Sequence, residues 1–408
     1  MSLTVKHLNG DTTFLLTFSP NQFAPPSPPE LQYQQYQQPP GTFSILIDPW
    51  ISGPSTMWHP KFFLSKHTSP SCIQNLSHIP EPNVVLISQD KPDHCHEATL
   101  RQLDPTSPIT TILAEPAAAK KIRNFKFFDP AMVHSLRVYS DKKPDSVIRF
   151  YIPPMIPGGT PGEATISFIP AKMDLPGVHN AVGITYRPPQ SSYIPPHPLA
   201  PQSPSSQSRF NQLPNEPPAP QNLPLTPPES PESPTRQTSA MSNTSHSLSH
   251  GSGPPSSTFS KHGRSISSSS SVTSTTRLHS EKALSVIYSP HGVDYSLIRP
   301  YASSHLVANA ALPLTLLLHS FSRVQNPWWM GGNIATGVPG GVEIAQNLMA
   351  KCWISAHDED KDNSGLSVMS VKTRKYDKEE AREMLRQEKG NNVDVVSLGV
   401  GAEMVLKA

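Results

Sequence analysis

The chain has little of what a secreted, membrane-spanning or nucleic-acid-binding protein needs. Only three cysteines occur in 408 residues, Cys72, Cys95 and Cys352. They form neither a metal-type pair nor an even disulfide framework, which points to a reducing compartment. Charge of one sign is missing too: the formal net charge is +2 and no long basic run occurs, so there is no electrostatic footprint for nucleic acid. Long apolar runs are also absent. The best, Ala308 to Leu318, is too short to span a bilayer and contains Pro313. The opening Met1-Ser2-Leu3-Thr4-Val5-Lys6 lacks the apolar core of a signal peptide. These absences predict a soluble cytoplasmic protein with no membrane and no nucleic-acid partner.

Apolar residues as a whole are scarce, at 36%, while prolines number 48. Part of the chain therefore cannot bury a core. That part is predicted at 187–280, where segments such as Pro195-Pro196-His197-Pro198 and Ser265 to Ser270 supply no periodic apolar face. The expectation is a disordered Ser/Pro-rich insertion that splits one domain into 1–186 and 281–408. Within it, Thr226-Pro227, Ser230-Pro231 and Ser233-Pro234 resemble sites for a proline-directed kinase, a partner the solvated segment would tolerate.

The remainder alternates strand signals with helical ones. Thr12 to Phe18 and Thr42 to Ile47 are rich in β-branched and aromatic residues and flank a swollen hairpin loop, Asn21 to Gly41. Further strands are predicted at Val84 to Ile87, Ile109 to Leu113, Ser146 to Ile152, Ala164 to Ile169, Val182 to Tyr186, Ala283 to Tyr288, Lys351 to Ser355 and around Val393 to Leu398. Helices are predicted at Glu97 to Leu103, Glu115 to Ile122, Gly341 to Met349 and Asp377 to Glu388. Four strands end in polar clusters, carrying Asp48, then Asp93 with His94, then His291, then His357. In layered α/β folds such loops gather on one sheet edge. A carboxylate among imidazoles suits a borderline divalent metal: zinc first, with iron or manganese as further candidates.

These elements carry a family resemblance. Ile45-Leu46-Ile47-Asp48-Pro49-Trp50, then Ser88-Gln89-Asp90-Lys91-Pro92-Asp93-His94, then the loop Ser289-Pro290-His291-Gly292, then a strand ending at His357, together resemble metallo-β-lactamase-fold hydrolases, and among them the sugar-phosphate lactonase-like branch. The resemblance spans Leu3 to Val400 outside the insertion and implies a four-layer αββα sandwich with a metal at the sheet edge. It also implies an enzyme in which metal-activated water attacks a carbonyl or phosphoryl centre. Position by position, the last Asp and His of the His-x-His-x-Asp-His motif fall on Asp93 and His94, whereas its first two histidines fall on Gln89 and Lys91. After Ser167-Phe168-Ile169 the chain has Pro170-Ala171-Lys172-Met173 where another histidine belongs, and His179 lies beyond it. His291 stands where a bridging aspartate belongs. One of the family's two metal positions is thus stripped and the other kept.

The expected site is one divalent metal held by Asp93, His94, His291 and His357, with Asp93 also accepting a proton during attack. The expected function is hydrolysis of a small molecule, an anionic one if Lys91 and Lys172 lie near the site. The alternative is a binding or scaffold protein on the same fold that has lost its metal. Asp48 is expected to orient a ligand histidine rather than bind metal, and His96 and His179 to stay outside the site. Cys95 is read as a small buried residue. Trp328-Trp329 are read as packing over the sheet, with a pocket lining as the competing role. For His357, the neighbours Asp358, Glu359 and Asp360 allow a plain solvated acidic loop.

Overall fold

The computed structural model describes residues 1–20, 38–172, 174, 177–190, 282–388 and 392–408. In chain order, the strands of its two large sheets are β1 (Ser2–His7), β2 (Phe14–Ser19), β3 (Phe43–Ile47), β4 (Val84–Ile87), β5 (Thr111–Ala114), β6 (Val133–Ser135), β7 (Val147–Ile152), β8 (Gly162–Pro170), β9 (Asn180–Arg187), β10 (Leu284–Ser289), β11 (Leu316–His319), β12 (Cys352–Ser355), β13 (Asp394–Val396) and β14 (Glu403–Lys407). The first sheet runs β14-β1-β2-β3-β4-β5-β6 and the second β13-β12-β11-β10-β9-β8-β7. Strands β3 to β6 are mutually parallel, as are β10 to β13, and the other neighbours pair antiparallel.

Side chains alternate between the two faces of a strand, so a strand covered on both sides must be apolar at every position. That is why Val84 to Ile87 and Leu316 to Leu318 are continuous apolar runs. Val84 and Leu86 enter the core between the sheets, with Ile45, Ile47, Val286, Tyr288, Leu316, Leu318 and Ile354. Val85 and Ile87 face the opposite way, onto Leu100 of α1 (Glu97–Leu100) and onto Ala118, Ala119 and Ile122 of α2 (Pro116–Asn124). On the second sheet, Ile287, Leu317 and Trp353 meet α3 (Tyr295–Tyr301), α4 (Gly337–Asn347) and α5 (Lys378–Glu388) through Ile298, Val342, Ile344 and Leu385. Gly341 admits the Trp353 indole, which a Cβ there would meet at 2.2 Å. Helix, sheet, sheet, helix is the four-layer αββα sandwich that the resemblance implies.

The predicted strands are present with ends shifted by a residue or two, and α2 starts where Glu115 accepts the N–H of Ala118 ahead of Pro116. β1, β6, β11, β14 and α3 lie where no strand or helix was expected. β11 hides in the apolar run Ala308 to Leu318, since a short strand buried on both faces has no period to announce it. Helix α3 carries Pro300 inside it, which argues against a helix in sequence. Strands β2 and β3 do pair as a hairpin, Phe14 against Ile47, while residues 21–37 of its expected swollen loop lie outside the described residues. Residues 191–281 also lie outside them, and with them the expected disorder and the three kinase dipeptides. The strands bordering that gap pair with each other, Val182 opposite Tyr288. Among the described residues no helix is long and apolar enough to cross a membrane.

At the end of β11, His319 is fully buried, with Nδ1 2.7 Å from the Ser320 carbonyl and Nε2 3.2 Å from Thr336 Oγ1. Burial pushes its pKa down to about 4 from 6.5. The unfolded chain therefore binds this proton more tightly than the native state. The stability that His319 contributes is complete above pH 6.5 and is lost as the pH falls toward about 4. We expect wild-type protein to lose roughly 2 kcal/mol through this group between pH 7 and pH 5. Urea unfolding at the two pH values should show His319→Gln losing less over the same interval; equal losses in both proteins would refute the assignment.

Candidate metal centre

Parallel pairing fixes where the polar clusters lie. β3 and β4 run side by side, Ile47 opposite Leu86, and β10, β11 and β12 do the same, Ser289 opposite His319 and His319 opposite Ser355. Their carboxyl ends, with Asp48, Ser88 to His96, His291 and Ala356 to Lys361, share one edge of the sandwich. The β1–β2 turn joins them there, because Phe14 pairs with both His7 and Ile47. Asn9 fastens that turn to the edge: its amide donates to the Trp50 carbonyl at 2.9 Å, and its oxygen accepts the Asp11 and Thr13 N–H groups.

Three imidazoles converge at this edge. The nitrogens of His94, His291 and His357 lie within 4.8 Å of one another. His94 and His291 are buried, and their Nε2 atoms are 3.3 Å apart. Each ring has its other nitrogen committed. His94 Nδ1 donates to Asp48 Oδ2 at 2.7 Å, His291 Nδ1 to the Ile334 carbonyl at 3.0 Å, and His357 Nδ1 to Asp11 Oδ1 at 3.0 Å. None of these acceptors can donate, so the tautomers are set and three Nε2 lone pairs face inward. Two lone pairs at that separation repel unless positive charge lies between them. A shared proton would serve one pair of rings, but the third ring asks for a cation. Two nitrogens held at about 2.0–2.1 Å by one tetrahedral zinc lie about 3.3 Å apart. The site fits a divalent metal on its own donor set, with the carboxylate and carbonyl acceptors behind the rings that such sites use.

The surrounding charges agree. Burial lowers the affinity of His94 for a proton, but Asp48 and Asp93 outweigh it and raise its pKa. For His291, burial, followed by His357 and His94, outweighs the support from Asp93, drives its pKa far down and keeps it neutral. Asp48 is itself fixed by Ser88 N–H at 2.7 Å, Ser88 Oγ at 2.5 Å and Tyr288 OH at 2.6 Å. A buried carboxylate bonding a loop N–H and the His94 ring is the placement expected for it. Asp48 (φ 39°) and His357 (φ 72°) hold left-handed backbone without being glycine, a strain that clusters at functional sites.

Asp93 stands apart from the three rings. It belongs to a second group, with Asp11 and His357. Its Oδ2 is 4.0 Å from His357 Nε2 and 3.4 Å from Lys361 Nζ. Lys361 also reaches Asp11 Oδ2 at 2.9 Å and His357 Nδ1 at 3.4 Å. Burial opposes ionisation of Asp93, yet His94, Lys361 and His357 overcome it and hold the carboxyl far below its usual range; Asp11 is held low by His357 and Lys361 against its own burial. Burial also opposes charge on Lys361, and Asp11 with Asp93 reverses this, raising its pKa. Asp11 and Lys361 were not found from sequence. Asp11 follows Asn9-Gly10, which signals only a hairpin turn, and Lys361 closes an acidic loop where a lysine looks solvated.

Other expectations meet mixed outcomes. Lys91, expected near the site, is half-buried and pairs with Asp90 at 2.7 Å, and Lys172 is exposed. Gln89 is buried, its amide donating to the Val178 carbonyl at 3.1 Å. His179 spends both ring nitrogens on the carbonyls of Gly292 and Asn333, each at 2.9 Å, and His96 contacts Thr99 and Pro54, so neither offers a lone pair to the site. Cys95 is buried and burial pushes its thiol up to about 12, the inert behaviour expected. The loop after His357 is not simply solvated: Asp358 accepts the Phe321 and Ser322 N–H groups, and Glu359 accepts from His67 and the Thr68 N–H. Trp328 and Trp329 do not pack over the sheet; they are 85% and 69% exposed.

No family model matches the chain, and no curated protein matches it. Solved structures resemble it at low identity. An isothiocyanate hydrolase from Delia radicum gut bacteria shares 11% identity at a TM-score of 0.45, covering 100% of each chain. Igni18, a metallo hydrolase from the archaeon Ignicoccus hospitalis, shares 10% at 0.42, again over 100% of each. The metallo-β-lactamase-fold protein YhfI from Bacillus subtilis shares 9% at 0.38, over 98% of this chain and 99% of its own.

Proposed function

We propose that this chain is a metal-dependent hydrolase of a small molecule, with one divalent cation, zinc first and iron or manganese next, held by His94, His291 and His357. The observation that carries the reading is the convergence of three imidazoles whose Nδ1 atoms are all committed to fixed acceptors. When bound, such a metal lowers the pKa of a water toward about 7 and polarises a substrate oxygen. The chain's own groups do the rest. Asp48 and Asp11 hold two rings in the tautomer that presents Nε2. Asp93 stays ionised at neutral pH and accepts a hydrogen bond from the attacking water, orienting it; its low proton affinity makes it a weaker base than the sequence motif implies. The substrate is best described as carrying an electrophilic carbonyl or phosphoryl centre. An anionic preference loses its basis, since Lys91 and Lys172 do not contact these residues among the described bonds and Lys361 is neutralised by Asp11 and Asp93.

A scaffold reading draws on the same Lys361, because an ammonium bonded to two carboxylates needs no metal there. Metal analysis separates the two. Purified wild-type protein should carry one ion per chain, and His94→Ala, His291→Ala and His357→Ala should each carry almost none and lose hydrolysis of any ester, lactone or phosphodiester that the wild type cleaves. Ion content unchanged by all three substitutions, or no ion in the wild type under zinc, iron or manganese supply, would leave only the scaffold.

A further inference from the structure

We infer that Lys361 is a built-in cation that keeps a second metal out of this site. The inference rests on the reading that the three histidines hold the first. Asp11 and Asp93 place carboxylate oxygens within 4.8 Å of each other beside His357, a spacing that lets the two carboxylates share one ion while both His357 nitrogens stay committed. The position is already filled. Lys361 Nζ lies 2.9 Å from Asp11 Oδ2, 3.4 Å from Asp93 Oδ2 and 3.4 Å from His357 Nδ1. Asp11 is fully buried and the Lys361 side chain is 11% exposed, so water screens little of this charge.

The ammonium is also anchored by its backbone. Lys361 N–H donates to the Glu359 carbonyl at 3.0 Å, and the next residues, Asp362–Ser364, form a strand paired with Phe63–Lys66. The head lies 5.7 Å from the Trp50 ring centroid, which favours a cation there. A divalent ion entering between the two carboxylates would meet this tethered charge at close range in a poorly screened setting. The tether gives the lysine an effective concentration that no free ion matches at ordinary cellular levels. A covalently attached cation thus takes the place that a removable second one would fill.

The test is the ion content of the full chain after incubation with zinc or manganese and dialysis. The wild type should hold one ion, and Lys361→Ala should hold two, the second lost again in Lys361→Ala/Asp93→Asn. Lys361→Arg, which keeps a fixed cation, should stay at one. If Lys361→Ala does not purify folded, Lys361→Gln keeps an N–H donor for Asp11 and serves in its place. One ion in both wild type and the lysine variants overturns the inference and leaves the three-histidine reading standing. Two ions in the wild type overturn it as well. No ion in the wild type overturns that reading and the inference with it.

Discussion

Asp48→Ala is expected to cost roughly 3–5 kcal/mol of stability, among the largest losses any single change at the sheet edge should cause. The carboxylate is fully buried and accepts from four donors: the Ser88 N–H, the Ser88 hydroxyl, the Tyr288 hydroxyl and His94 Nδ1. Removing it takes the short acceptor from all four in a place water does not reach, leaving His94 Nδ1 only the Ser88 hydroxyl at 3.4 Å, and each orphaned group costs about 1–3 kcal/mol before the protein relaxes. It also frees the His94 ring to rotate or change tautomer, which should weaken metal binding by roughly ten- to a hundredfold. Urea unfolding of metal-free protein measures the first effect and competition against a chromogenic chelator the second. A variant within about 1 kcal/mol of the wild type, with unchanged metal affinity, would show that Asp48 orients nothing.

How far the sequence discloses this site depends on the kind of residue. Asp48, Asp93, His94, His291 and His357 each end or follow an apolar strand, so strand periodicity locates their loops, and parallel pairing brings those loops to one edge. Sequence does not say which atoms of that edge meet. Asp93 and His94 are neighbours in the chain, yet they fall in different groups, because adjacent residues of a loop point in different directions. Lys91, inside the Gln89–His94 stretch, turns outward to Asp90, while Lys361, far along the chain, turns in. Burial of a charge is decided by what surrounds it in space, and Asp11 and Lys361 are buried because they meet each other, with His357 and Asp93 as further partners. The fold shows the same division. Val84 to Ile87 is legible because polar residues bound it closely, whereas Leu316–His319 merges with its apolar flanks and is resolved as a strand only by its pairing with β10 and β12.

That mutual dependence of Asp11 and Lys361 sets the second large effect. Asp11→Asn keeps the shape of the side chain but removes the anion that meets both Lys361 Nζ and His357 Nδ1. The ammonium is left with Asp93 at 3.4 Å as its carboxylate partner, and breaking one side of a buried ion pair typically costs about 3–5 kcal/mol. We expect Asp11→Asn to unfold at markedly lower urea and Lys361→Gln to lose a comparable amount, since it leaves two buried carboxylates unneutralised. The double variant Asp11→Asn/Lys361→Gln removes both charges together, so it should be less damaged than the sum of the singles by about 1–3 kcal/mol. His357 separates this electrostatic account from loose packing. In Asp11→Asn its Nδ1–H loses an anionic acceptor, so metal affinity should fall by roughly tenfold or more, and restoring stability through Lys361→Gln should not restore that affinity. Losses that add to within about 0.5 kcal/mol would mean the two residues do not act on each other, and the buried pair would then be a neighbourhood rather than an interaction.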